Sequence, residues 1–304
     1  VAGSFRGGRQ LIAGDAAHLM PVWLGQGWNS GMRDATNLGW KLSTILLGSA
    51  SDVLLDTYTS ERRDHAKAMV GLSLTFGSAI KLTNPVAVAA RDAASVALNL
   101  LPGVKSYFTD MRFKPMPRYT VGVLADPTTL GSGRAAPKLT SRLVPVRTAK
   151  TKVSPVGVQF PQPRVTFKAG SDILLDDAIG NWWSVLVWGN SPTDVLPGES
   201  LAQLRQLGAR LVCLLPETQR EWAEENTEGD VLVLGDHTGQ IKKWFDDRPT
   251  PLVFLRPDRF VAGACLFQHA PATLNAILQS LAFTAADPAV ARASPTSLAT
   301  SAQV

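Results

Sequence analysis

The spacing of apolar positions changes along this chain, and each change predicts an element. Arg9-Gln10-Leu11-Ile12-Ala13 is a short apolar run that stops at Gly14-Asp15, which predicts a buried strand delivering a loop at its C-terminal end. A glycine-rich loop follows through Gly31. From Met32 the apolar residues Ala35, Leu38, Leu42, Ile45 and Leu46 recur at three- and four-residue steps, the stripe of a helix ending near Gly48. Residues 54–69 and 86–101 predict two more helices, the second opened by Asn84-Pro85 and closed by Pro102-Gly103.

Between about residues 116 and 163 no period survives, and Pro115-Met116-Pro117 and Gly131-Ser132-Gly133 punctuate a stretch that predicts a surface linker. After Val165 short strands and helices alternate over 183–188, 199–207, 210–215, 231–234, 241–245, 252–255 and 260–266, the texture of an α/β sheet. Asp258-Arg259 predicts a late hairpin turn, and Leu274, Ile277, Leu278 and Leu281 the apolar face of a closing helix. The last twenty residues, rich in Ala, Ser, Thr and Pro, predict a disordered tail. The expected domains are therefore 1–115, a linker over 116–165, an α/β domain over 166–284 and a tail over 285–304.

Length agrees with two cores: the chain has 304 residues, and domains usually run to ~100–200. Charged residues are 18% of the chain and the net charge is +5, with Lys and Arg scattered among Asp and Glu, which argues against a nucleic-acid partner. The mild positive excess could steer an anionic substrate or reflect a few surface lysines only. Cys213 and Cys265 sit in apolar runs, where a thiol behaves as a small buried hydrophobe, so neither a disulfide framework nor a zinc site is expected. The longest apolar stretch, around 69–80, is broken by Gly and Ser and falls short of the ~18 residues a membrane span needs. No basic flank with an apolar core follows Val1, so no signal peptide is expected and the cytoplasm is the predicted compartment.

Residues 14–41 read GDAAHLMPVWLGQGWNSGMRDATNLGWK. An acidic residue leaves a strand end, where it can accept bonds from a ligand hydroxyl. Gly25, Gly27 and Gly31 let backbone approach something flat, and a helix then begins whose unpaired first amides and positive dipole end suit an electron-rich group. A lone glycine-rich stretch is more often just a tight turn, with Asp15 capping it; the length and order of this one favour a cofactor loop. Asp34 and Arg33 fall in the expected first helical turn, where the dipole favours Asp34 without any functional need. Glu61, Arg62 and Arg63 read most simply as a charged, solvated helix face.

The 14–41 segment resembles the second flavin-binding motif of the class A flavoprotein monooxygenases, the para-hydroxybenzoate hydroxylase group. It resembles most the branch of 3-(3-hydroxyphenyl)propionate and 3-hydroxycinnamate hydroxylases. The residues carrying that likeness are Met20-Pro21-Val22-Trp23, Asn29-Ser30-Gly31-Met32-Arg33-Asp34-Ala35 and Arg112-Phe113-Lys114-Pro115-Met116-Pro117, and it extends through Arg256-Pro257-Asp258-Arg259-Phe260-Val261.

The resemblance implies an α/β fold: the C-terminal part of an FAD-binding, Rossmann-like monooxygenase domain, followed by a thioredoxin-like α/β domain. The latter lacks a C-x-x-C, so thiol redox chemistry is not expected of it. Thr250-Pro251 aligns with the conserved proline of that fold, in an isomer the sequence does not fix. For the cofactor, the resemblance implies that Asp15 binds the ribityl hydroxyls of FAD and that Pro21 lies beside the isoalloxazine ring. The backbone of Gly25, Gln26, Gly27 and Trp28 would approach the ring's pyrimidine edge, and Asn29 would bond near N3 and O2. In the family motif the histidine, here His18, more often packs or bonds structurally than acts as a base. Residues 1–13 hold no G-x-G-x-x-G loop for the ADP half of FAD, so the chain is expected to be a C-terminal portion carrying half of the cradle.

The activity so implied is an NADH- or NADPH-consuming, FAD-dependent hydroxylation of a phenolic acid by O2 in aromatic catabolism, with room for a homo-oligomer and no membrane partner. Two alternatives stand beside it: a non-catalytic α/β scaffold or assembly module, and a polyketide hydroxylase of the same flavoprotein class.

Overall fold

A computed structural model describes residues 1–100, 102–110, 116–125, 154–227, 229–248 and 250–284. Most of the expected linker, Gly131-Ser132-Gly133, residues 112–115 and the expected tail over 285–304 lie outside these described residues. Two compact units form: Val1–Lys41 with Leu55–Arg118, and Leu42–Leu54 with the residues from Tyr119 on.

The first unit opens on a small hairpin, β1 (Arg6–Gly7) against β2 (Gln10–Leu11), with Arg6 opposite Leu11 and Gly7 opposite Gln10. The buried strand expected over 9–13 is thus a two-residue ribbon. Arg9 and Gln10 are exposed and only Leu11 and Ile12 turn partly inward, because the ladder partner is a strand just as short. Phe5, Ala17, Tyr58 and Ala66 make a buried cluster over which Leu11, Ile12 and Leu38 pack. Polar bonds seal it: Tyr58 Oη donates to the Ile12 carbonyl at 3.0 Å, and the Phe5 amide donates to Thr59 Oγ1 at 3.1 Å.

Two long helices carry the rest. α1 (Gly27–Leu46) starts five residues before the expected Met32, and α2 (Asp56–Ile80) runs eleven residues past the expected Met69. Both extensions are built from residues that show no apolar stripe. The inward positions of the α2 extension are Ser73 and Gly77, which face backbone and an indole rather than aliphatic side chains. α3 (Pro85–Asn99) starts where the sequence predicts: Asn84 Oδ1 accepts from the amides of Val86 and Ala87, and Pro85 occupies the first turn, where its missing N–H costs nothing. α4 (Pro102–Thr109) follows.

In the second unit, β3 (Arg164–Phe167), β4 (Ser171–Leu174), β5 (Ser184–Trp188), β6 (Arg210–Pro216), β7 (Val231–Asp236), β8 (Leu252–Leu255) and β9 (Val261–Cys265) form one mixed sheet in the order β4-β3-β7-β6-β5-β8-β9. The middle strands β7, β6 and β5 are parallel, and antiparallel hairpins close both edges. Parallel neighbours need crossovers, and α6 (Pro192–Val195) with α7 (Gly198–Gln206) joins β5 to β6 while α8 (Glu217–Asn226) joins β6 to β7; α5 (Leu175–Ile179) and α9 (Gln240–Asp246) lie in the β4–β5 and β7–β8 connections, and α10 (Ala270–Ser280) closes the chain's described part. β6 shows why its residues read as a continuous apolar run: Val212 and Leu214 face one cluster with Leu186, Leu234 and Phe245, while Cys213 and Leu215 face another with Ala223 and Val233. Both cysteines are free and buried, and burial, helped by Asp194, pushes the Cys213 thiol up to about 11. The Thr250–Pro251 bond is trans.

The β8–β9 turn is set by charge. Arg256 is fully buried, and its Nε and Nη2 donate to the two carboxylate oxygens of Asp258 at 2.9 and 2.6 Å. Its guanidinium lies 5.1 Å from the Tyr119 ring centroid and 5.9 Å from that of Phe260. Arg259 takes a left-handed φ of 66° to complete the turn, a conformation that costs a non-glycine residue energy and is held here by an ion pair from Nε to Asp176 at 2.9 Å. Asp258→Ala would take both carboxylate oxygens away from the buried Arg256 guanidinium. Its unfolding free energy in urea should fall by about 3–5 kcal/mol, far outside the ~0–1 kcal/mol of an exposed pair.

Candidate functional site

The loop joining β2 to α1 is folded around glycines. Gly14 adopts φ +57°, and its carbonyl accepts from the amides of both Ala17 and His18 at 2.9 Å, curling Gly14–Ala16 into a 3-10 turn. This turn buries Ala17 and His18 and leaves Asp15 exposed at its apex. The turn rests on the first turns of α1: a Cβ added to Gly31 would lie 3.5 Å from Gly14 Cα.

Further along, Pro21 is half-buried and its carbonyl accepts from Ser73 Oγ at 2.7 Å. Trp23 packs against α2 at Gly77, where any Cβ would overlap the indole Nε1 and Cδ1, and Lys81 Nζ sits 4.9 Å from the indole centroid. Gly25 is left-handed at φ +59° with open space where a Cβ would stand, and Gln26 Nε2 donates back to the Leu24 carbonyl at 3.2 Å. α1 then starts. The first intrahelical bond runs from the Ser30 amide to the Gln26 carbonyl, so the amides of Gly27, Trp28 and Asn29 have no acceptor within the helix. The first turn carries no acidic residue to answer the helix's positive end, and Trp28 is 79% exposed.

Beneath this surface lies a set of charges without solvent contact. Asp34 Oδ2 accepts from the Gly14 amide at 3.0 Å and from His18 Nε2 at 2.6 Å, while Oδ1 accepts from Arg62 Nε at 2.8 Å. Arg62 also donates from Nη2 to the Ser30 carbonyl at 3.3 Å. One helical turn on, Glu61 Oε2 accepts from Asn37 Nδ2 at 2.6 Å and from Lys41 Nζ at 2.9 Å. The side chains of His18, Asp34, Arg62, Lys41 and Glu61 are all without exposed surface. Burial pushes the Asp34 carboxyl up, but the His18 bond, the Arg62 charge and bond and the Gly14 amide outweigh it and hold it below the usual aspartate range. An ionised Asp34 fixes the His18 proton that faces it on Nε2, and His18 Nδ1 and Ser30 Oγ are buried without a partner among the described residues.

Two expectations are corrected here. Glu61 and Arg62 are not a solvated face; only Arg63 of that trio is substantially exposed, at 39% of its side chain. Asp34 is not in the first turn, since α1 begins at Gly27, so the helix dipole does not account for it. His18 bonds to Asp34, in keeping with the structural role expected of it. A signal for the network was present in the spacing: Asp34, Asn37 and Lys41 share the face of α1 that Leu38 marks as inward, and Glu61 and Arg62 share the face of α2 marked by Tyr58, Ala66 and Met69.

Comparison with known proteins gives this architecture its class. Residues 1–73 match the FAD binding domain family and residues 157–280 the HcaD C-terminal domain family. The chain is thus similar along most of its length to flavoprotein aromatic hydroxylases. It is 46% identical over 284 residues to a 3-(3-hydroxy-phenyl)propionate/3-hydroxycinnamic acid hydroxylase of Mycobacterium avium, covering 93% of this chain and 45% of that protein. It is 45% identical over 287 residues to one of Escherichia coli, covering 94% and 48%. The chain thus spans about half the length of the curated relatives it matches. Among solved structures it is similar to the flavin-dependent monooxygenase PieE in complex with FAD and substrate (TM-score 0.59, 20% identity, 92% of this chain and 49% of that one). It is also similar to aklavinone-11 hydroxylase with FAD and aklavinone (TM-score 0.57, 20% identity, 92% and 45%). At that identity the likeness is one of fold. No helix among the described residues is long and apolar enough to cross a membrane.

The loop residues fit part of a flavin. An exposed carboxylate suits ribityl hydroxyls. An unneutralised helix start and a side-chain-free Gly25 suit the electron-rich edge of a flat ring.

The buried charges lead to two expectations for stability. Glu61→Ala removes a buried carboxylate from the Lys41 ammonium and should lower the unfolding free energy at pH 7 by about 3–5 kcal/mol in a urea titration. Asp34 has a folded pKa below its unfolded value of about 3.9, so its contribution is complete at neutral pH and drains away as pH falls from that value through the folded one. Acid titrations followed by circular dichroism should show a shallower loss of stability below about pH 4 in Asp34→Asn than in the unaltered chain.

Proposed function

We propose that this chain supplies the ring-side wall of an FAD site in a monooxygenase that hydroxylates a phenolic acid beside its hydroxyl group. The observation carrying this reading is the pairing of an exposed Asp15 with the open start of α1, both fixed to one buried carboxylate. FAD, when bound and reduced by NADH or NADPH, supplies the activation of O2.

The work of this chain's own residues is binding and electrostatics. Asp15 accepts hydrogen bonds from ribityl hydroxyls. Pro21 forms a rigid wall for one face of the ring, its carbonyl already occupied by Ser73. The amides around Gly25, Gln26, Gly27 and Trp28, with Asn29, meet the pyrimidine edge and favour negative charge there. Because these dipoles are fixed before the cofactor arrives, no reorganisation is needed when charge develops.

A 3-(3-hydroxyphenyl)propionate-like substrate has better support than a polycyclic polyketide, since relatives named for the former are 44–46% identical whereas aklavinone-11 hydroxylase is 20% identical. The sheet-containing unit takes no part in thiol chemistry: Cys213 and Cys265 are buried with thiols pushed up by burial, so an assembly role, including homo-oligomer contact, suits it better. A reducing, cytoplasmic setting accommodates two free thiols.

The test is a titration of the 304-residue chain with FAD, followed by flavin fluorescence. Saturable binding is expected, and Asp15→Ala should weaken it about tenfold, the worth of one hydrogen bond to a charged acceptor. An unchanged affinity in Asp15→Ala would remove Asp15 from the site. Absence of saturation in the unaltered chain would overturn the claim that these residues grip flavin on their own.

A further inference from the structure

Asp34 Oδ2 accepts two hydrogen bonds from opposite ends of one five-residue turn, from the Gly14 amide at 3.0 Å and from His18 Nε2 at 2.6 Å. A single oxygen therefore clips the turn shut, and Asp15 stands at the apex between the two clipped ends. The second oxygen binds Arg62, which also binds the Ser30 carbonyl in the opening turns of α1. The placement of Asp15 relative to the α1 amides is thus set by a buried carboxylate and guanidinium that themselves have no exposed surface. Folding alone does not demand this arrangement. Replacing a buried ion pair by apolar groups of similar size is often neutral for stability, so the charges are better explained by the geometry they impose.

We propose that Asp34, with His18 and Arg62, is a positioning device for the flavin site: it holds the Asp15 carboxylate and the α1 amides in the spacing that the ribityl chain and the ring edge require. This rests on the flavin reading above. No proton transfer to substrate is assigned to His18; its Nε2 proton is committed to Asp34.

The decisive experiment is a double-mutant cycle on FAD affinity in the full chain, using Asp15→Asn, Asp34→Asn and the two together. If Asp34 acts through Asp15, Asp34→Asn alone weakens FAD about tenfold, and adding it to Asp15→Asn costs no more than about twofold further. A merely structural Asp34 would give losses that multiply, and that result overturns the proposal, as does an Asp34→Asn protein that binds FAD normally. Should Asp34→Asn fail to fold by circular dichroism, His18 provides the second handle. His18→Gln retains an N–H donor toward Asp34 and is expected to stay within about threefold of the unaltered affinity, while His18→Leu loses about tenfold. Equal affinities in those two variants count against the clip. If the unaltered chain does not bind FAD, the flavin reading fails first and takes this one with it; if it binds and the cycle is additive, the positioning role alone is lost.

Discussion

A carboxylate shut away from water survives only where its charge is answered, and Asp34 is answered from three directions by the Gly14 amide, His18 and Arg62. Burial of an ion costs several kcal/mol even after the protein relaxes. The direction of the Asp34 shift shows which side wins, since the bonds hold the proton off despite complete burial. Much of the first unit depends on that balance. The loop cannot leave the helix without stripping Asp34 of two donors, and α2 cannot rotate without withdrawing Arg62 from the same group. The neighbouring Glu61, Lys41 and Asn37 set repeats the logic one turn further along.

The second unit uses the same chemistry for a different purpose. Arg256 and Asp258, two residues apart, pair inside the protein and fix a hairpin turn between strands, as Asp34 and Arg62 fix a turn between a ribbon and a helix. In both places a guanidinium spans backbone and carboxylate at once: Arg62 reaches the Ser30 carbonyl and Arg256 reaches that of Val123. The planar fork makes this possible, because its donors point in fixed directions and can serve several acceptors without bending.

Legibility followed the kind of neighbour each segment has. β8 and the start of α3 are visible in the sequence, since an unbroken apolar run and an Asn-Pro cap depend on adjacent residues alone. The glycine-rich loop is visible as a motif for the same reason. The start of α1, the far half of α2 and the buried charges are not. Their inward partners are backbone groups and polar side chains lying 16 to 52 positions away, and nothing in an apolar stripe reports a serine that faces a carbonyl. Arg62 reads as surface because arginine usually is; only its phase relative to Tyr58 and Ala66 says otherwise.

Trp23 is seated where Gly77 leaves room, and the Pro21 carbonyl is held by Ser73. The consequence is one of portability. The contiguous motif over residues 14–41 is not a cassette that could be moved into another scaffold and keep its shape, for half of its restraints are stored on a helix that begins fifteen residues later. The smallest transferable piece reaches to Gly77; for anything shorter, a recipient protein would have to donate a glycine groove, a serine one turn before it and an inward arginine, all in register.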